Sequence, residues 1–208
     1  AVTLGLVGIL AWRVAADNQP LFGEPFADLT TEQLNRFVAG REGFEEAETP
    51  ADGLGPVFNG TSCAECHSGP AIGGDSNIVE TRFGAITNAG FDPLSHLGGS
   101  LMQSQGIGLT GSCNFVGETV PPEATVVALR RTTPLFGLGL VDNVPDQAFQ
   151  LIALLQKKTS PATAGKPNIV QDTTGKMRVG KFGWKAQVAT LHDFSGDAYL
   201  NEMGITNP

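Results

Sequence analysis

The sequence predicts a mainly α domain with long Gly/Pro-rich loops, and three observations carry that expectation. Two stretches repeat apolar residues at helical spacing, while 27 glycines and 13 prolines among 208 residues keep long regular elements out of the middle of the chain. A single C-x-x-C-H string sits at the start of that middle. The length allows one to two domains and a proper core, and 41% hydrophobic against 16% charged residues describes a folded chain, not a disordered one. Thirteen Lys and Arg against 21 Asp and Glu give a net charge of −8, which repels phosphate backbones and excludes a general nucleic-acid role.

Residues 1–12 carry no charge, and Arg13 followed by Val14, Ala15 and Ala16 places small residues where an export peptidase cuts. Twelve helical residues span about 18 Å, short of the roughly 30 Å hydrocarbon layer. Residues 1–16 are therefore expected to be an export signal or a membrane anchor, residues 17–29 a linker, and residues 30–208 the folded domain outside the cytoplasm. Thr30 with Gln33 forms a capping box, and Leu34, Phe37, Val38 and Phe44 make an apolar stripe, so a helix is predicted over 31–46. From Pro50 to Pro145 there are 16 Gly and 8 Pro, which leaves no room for long helices. Residues 84–122 carry only Asp92 and Glu118 as charges, which suits packing against a large apolar group. Pro145 and Asp146 open a second helix through Phe149, Leu151, Ile152, Leu154 and Leu155, closed by Lys157 and Lys158. Trp184, Val188 and Leu191 predict a third helix, with Ser195 capping a short turn that runs to Met203.

The chemistry lies in Cys63-Ala64-Glu65-Cys66-His67. C-x-x-C-H is the attachment string of c-type haem: one helical turn aligns two thiols with the two vinyl groups, and the next imidazole lies beneath the iron. A thioredoxin-like dithiol would want a βαβ context, and no such pattern surrounds these residues. Zinc would want ligands beyond the adjacent Cys66 and His67, and a Cys63–Cys66 disulfide would be small and strained. The expected fold is accordingly a cytochrome c-like haem domain with one covalent haem c.

Candidates for a second axial ligand are Met203, His192, His96, Met102 and Met177, with an open sixth position as the alternative. Met203 leads, because it lies in a compact stretch well downstream of the C-x-x-C-H, where small cytochromes c return a sulfur to the iron. Arg130 and Arg131 are the foremost partners for haem propionates, ahead of Arg82, Arg178 and Lys185, since a guanidinium fork matches a carboxylate. Trp184 is a candidate for the haem edge, against the plainer reading of an aromatic on an apolar stripe. Cys113 is left over and is expected to be a buried free thiol, with pairing to something outside this chain as the alternative.

Three blocks, GLGPVFNGTSCAECHSGPAIGG (53–74), RRTTPLFGLGLVDNVPD (130–146) and KFGWKAQVATLHDFSGDAYLNEMGITNP (181–208), resemble the bacterial di-haem oxidoreductases, peroxidase or thiol oxidoreductase in type. That family is distantly similar to di-haem cytochrome c peroxidases and to methylamine-utilisation haem enzymes. The resemblance covers roughly residues 30–208 and implies thioether attachment at Cys63 and Cys66 with His67 as proximal ligand. Members carry a second C-x-x-C-H beyond the last block, and these 208 residues contain none, so the likeness is to the N-terminal haem part. The expected function is one-electron transfer outside the cytoplasm to a redox protein partner, for which an acidic surface suits a basic protein. The alternatives are part of a di-haem enzyme reducing hydrogen peroxide, or a haem subunit of a membrane-anchored redox complex.

Overall fold

The computed structural model describes residues 20–207. The 1–16 segment and the first residues of the 17–29 linker lie outside them, and no helix among the described residues is long and apolar enough to cross a membrane. The mainly α expectation is corrected: the fold is mixed, 30% helix and 21% strand, with short helices set among several small antiparallel sheets.

Helix α1 (Thr31–Glu45) begins where its capping box dictates, Thr30 Oγ1 accepting from the Gln33 N–H at 3.2 Å and Gln33 Oε1 from the Thr30 N–H at 2.9 Å. After strand β1 (Val57–Phe58) comes the single turn α2 (Cys63–Cys66). The largest sheet places β2 (Val79–Thr87) between β3 (Gly90–Asp92) and β7 (Val126–Arg131), all antiparallel, with Glu80 opposite Arg130 and Phe83 opposite Val127. Between them, β4 (Gln105–Gly106) pairs with β1, and β5 (Gly108–Thr110) with β6 (Cys113–Phe115). This sheet is the physical reason for the correction: Thr81, Phe83 and Ala85 alternate with period two, and Val126 and Val127 supply β-branched partners.

Helix α3 (Leu138–Asp142) leads into α4 (Asp146–Thr159), which opens after Pro145 and ends on Lys157 and Lys158 as the sequence predicts. Its Leu151, Ile152, Leu154 and Leu155 remain half-exposed. A hairpin of β8 (Ile169–Gln171) and β9 (Met177–Val179) follows, then α5 (Leu191–Met203). The helix expected through Trp184 and Val188 is a tight turn instead, closed by paired hydrogen bonds between Phe182 and Val188. Thr190, not Ser195, caps α5: its Oγ1 accepts from the Asp193 N–H at 3.0 Å, while Ser195 lies inside the helix with its hydroxyl on the Leu191 carbonyl.

Two small clusters form part of the described interior, and Val179, Phe182 and Ala189 are buried outside them. Leu54, Phe58 and Met203 pack with Cys63, Ile107, Tyr199 and Ile205, and Phe83, Ala85 and Leu94 pack with Met102, Val120 and Ala124. The first cluster closes because the end of α5 meets residues 55–59 backbone to backbone, with the Gly55 N–H on the Met203 carbonyl at 2.8 Å and the Asn59 N–H on the Glu202 carbonyl at 2.7 Å. A Cβ on Gly55 would lie 2.8 Å from the Gly204 Cα, so only glycine permits this approach.

Asp146 joins α4 to β9. Its Oδ2 accepts from the Val179 N–H at 2.9 Å, and Arg178 and Lys181 both stand 3.8 Å from its carboxylate. The Lys181 side chain has 0% exposure and also donates to the Asp142 carbonyl at 2.9 Å. Asp146→Ala leaves that buried ammonium without its counter-charge and is expected to cost about 3 kcal/mol, measured by urea unfolding; a loss below about 1 kcal/mol would show that Lys181 is satisfied without it.

Candidate functional site

The C-x-x-C-H turn is held by its own flanks. Ser62 Oγ accepts from the Glu65 N–H at 3.1 Å as the N-cap of α2, and the Glu65 carboxylate accepts from the Thr61 N–H at 2.8 Å. The His67 N–H closes the turn on the Cys63 carbonyl at 3.0 Å. Cys63 and Cys66 are half-buried and unbonded to each other, so the small disulfide is not formed. Burial pushes the Cys63 thiol up, and pushes Cys66 up to about 11, with the Glu65 charge adding to the effect. Among the described residues no group of three or more His, Cys, Asp and Glu side chains is placed to hold a metal ion.

His67 Nδ1 lies 3.1 Å from the Gly74 carbonyl oxygen, and the Thr133 backbone also faces the ring. A carbonyl only accepts, so Nδ1 carries the proton in its contact with Gly74. Burial holds the imidazole below its ordinary pKa and therefore neutral. The Phe44 ring of α1 covers it at 6.2 Å between centroids. The loop that supplies the acceptor is tight: the Gly73 N–H reaches the His67 carbonyl at 2.8 Å, and Gly69 and Asp75 exchange two backbone hydrogen bonds at 2.8 and 2.7 Å. A Cβ on Gly74 would fall 1.9 Å from the Gly69 oxygen, so this position admits no side chain.

The donor set suits a haem c. It offers two free thiols on one helical turn, an imidazole whose Nδ1 is bound to the Gly74 carbonyl, and an apolar cluster that Cys63 joins. The axial candidates separate by location. Met203 is 4% exposed and shares that cluster with Cys63, whereas Met102 belongs to the other cluster. His96 and Met177 are exposed, and the His192 side chain is 95% exposed.

The remaining candidates divide in the same way. Arg130 stands 3.9 Å from Glu80, which Arg82 also contacts, and lies 5.8 Å from the centroid of the exposed Trp184 ring. Arg131 turns to the loop after His67, with its Nη2 3.4 Å from Asp75 and its Nε donating to the Ser76 carbonyl at 3.0 Å. Cys113 is corrected to exposed, because β6 lies at the surface.

Sequence reasoning missed Glu202, Glu80 and Asn59. Glu202 accepts from Asn59 Nδ2 at 3.0 Å, faces Glu80, and is close enough to Cys66 to raise its thiol. Burial, and then the Glu80 charge, push Glu202 up to about 7. No local signal exposes this group, since Asn59 and Glu202 meet across 143 positions. No protein-family model, curated protein or solved structure matches the chain in the three comparisons.

An acid whose folded-state pKa is raised binds its proton more tightly in the fold than in the unfolded chain. The Glu202 contribution to stability is thus fully present below its ordinary value of 4.5 and lost as pH rises to about 7 and beyond. Glu202→Gln is expected to flatten that fall in urea-unfolding free energies across the interval; an unchanged slope would place the titration elsewhere.

Proposed function

We propose that this chain is a c-type cytochrome domain that transfers one electron at a time outside the cytoplasm, with one haem c joined to Cys63 and Cys66. The observation that carries this is the His67 geometry: a half-buried imidazole held below its ordinary pKa by burial, its Nδ1 bound to the Gly74 carbonyl, directly after a turn bearing two unpaired thiols. When bound, the haem supplies an iron centre that changes oxidation state by one electron without rearrangement of the chain. The residues supply the rest. Cys63 and Cys66 fix the group covalently, and His67 presents Nε2 with increased basicity because its Nδ1 proton is held. Arg82 and Arg130 offer guanidinium groups to propionates from one sheet face, next to Glu80. Met203 would offer its sulfur to the iron, on its place in the cluster that Cys63 joins. Apolar residues 1–12 and covalent attachment chemistry both favour export, and the net charge of −8 favours a basic redox partner.

The three sequence blocks favour a second reading, the N-terminal haem part of a di-haem oxidoreductase that reduces hydrogen peroxide. Met203 would oppose it if its sulfur bound the iron, because peroxide needs an open or displaceable position.

Expression of the chain in a host that matures c-type cytochromes is expected to give an intact mass one haem heavier than the polypeptide, stable to acid–acetone extraction. Cys63→Ser with Cys66→Ser is expected to abolish the added mass, and Met203→Leu, which preserves packing volume, to convert a low-spin ferric spectrum to high-spin. A wild-type chain of unmodified mass would overturn the proposal, and an already high-spin wild type that reduces peroxide at about 1 per second or faster would favour the peroxidase.

A further inference from the structure

Arg131 sits at the end of β7 opposite Val79 and is 60% exposed, so its ion pair with Asp75 contributes little to global stability. Its position gives it another role. Gly74, whose carbonyl orients His67, is followed immediately by Asp75 and Ser76, and the Arg131 fork holds both: Nη2 the Asp75 carboxylate at 3.4 Å, Nε the Ser76 carbonyl at 3.0 Å. Within the loop the hydrogen bonds run only between residues 67 and 75 and fix its shape. Its placement against the rest of the chain involves this fork, the Leu135 N–H on the Gly73 carbonyl at 2.8 Å and the Thr133 backbone beside the His67 ring.

We propose that Arg131 is a positioning residue for the axial histidine, acting through Asp75 and Ser76 to hold the Gly74 carbonyl on His67 Nδ1. This rests on the haem c function above and replaces the expectation that Arg131 binds a propionate. The Nδ1 hydrogen bond makes the imidazole a stronger donor and favours ferric iron, so loosening it shifts the midpoint potential to more positive values. A lysine keeps the charge but not the fork, and so restores the effect in part.

The test compares the full-length matured protein with Arg131→Ala, Arg131→Lys and Asp75→Ala. Arg131→Ala and Asp75→Ala are expected to raise the midpoint potential and to speed amide exchange at Gly69, Gly73 and Asp75 by about fivefold. Arg131→Lys should fall between them and wild type, and the thermal unfolding midpoint should hardly move. An unchanged potential and unchanged exchange in both alanine variants would overturn the inference. So would a potential shift accompanied by a comparable loss of global stability, which marks a merely structural role. A wild type that takes up no haem would overturn the function itself, and amide exchange in the same variants would still decide whether Arg131 holds the loop.

Discussion

The hydrogen bond between His67 Nδ1 and the Gly74 carbonyl is the constraint around which the site is built. A histidine that follows two cysteines on a single turn is free to present either nitrogen, and only the partner of one decides the availability of the other. Here the acceptor is backbone, and backbone is placed by the closure of a whole loop. That closure needs glycine at 74, the paired hydrogen bonds of Gly69 with Asp75, and an anchor outside the loop. The geometry of one imidazole therefore depends on residues as far along the chain as Arg131 and Leu135.

The interior around this site is thin. The clusters are small, with Val179, Phe182 and Ala189 buried apart from them, and the apolar residues of α4 stay half-exposed. Local stiffness comes instead from backbone contacts, foremost the approach of Gly55 to Gly204 that lays the end of α5 against the residues before the C-x-x-C-H turn. The same approach brings Glu202 next to Cys66, opposite Glu80 and near Arg82. Glu202 thereby links the Cys66 thiol to the cluster of Glu80, Arg82 and Arg130, a charge pattern that a haem with its own carboxylates would meet at its edge.

What was legible in the sequence was what depends on near neighbours. The capping box at Thr30 and Gln33, the opening of α4 after Pro145, and the C-x-x-C-H turn are each written within a few residues. Trp184 and Val188 misled because a four-residue separation fits a helix and also the two sides of a tight turn. The β2–β7 pair was missed because the short alternation in Thr81, Phe83 and Ala85 was outweighed by the surrounding glycines, and its partner strand lies beyond a long intervening segment. Glu202 and Asn59 carry no motif at all, and only the docking of α5 makes them neighbours.

The chain has three histidines, and the account assigns the iron to one of them through a single nitrogen. Nuclear magnetic resonance of the haem-loaded ferric protein with nitrogen-labelled histidine tests this most directly. The predicted result is one imidazole, His67, with Nε2 strongly shifted by the iron and Nδ1 still protonated, while His96 and His192 keep ordinary diamagnetic positions. Iron-shifted signals from His96 or His192 with an unshifted His67, or coordination of His67 through Nδ1, would contradict it.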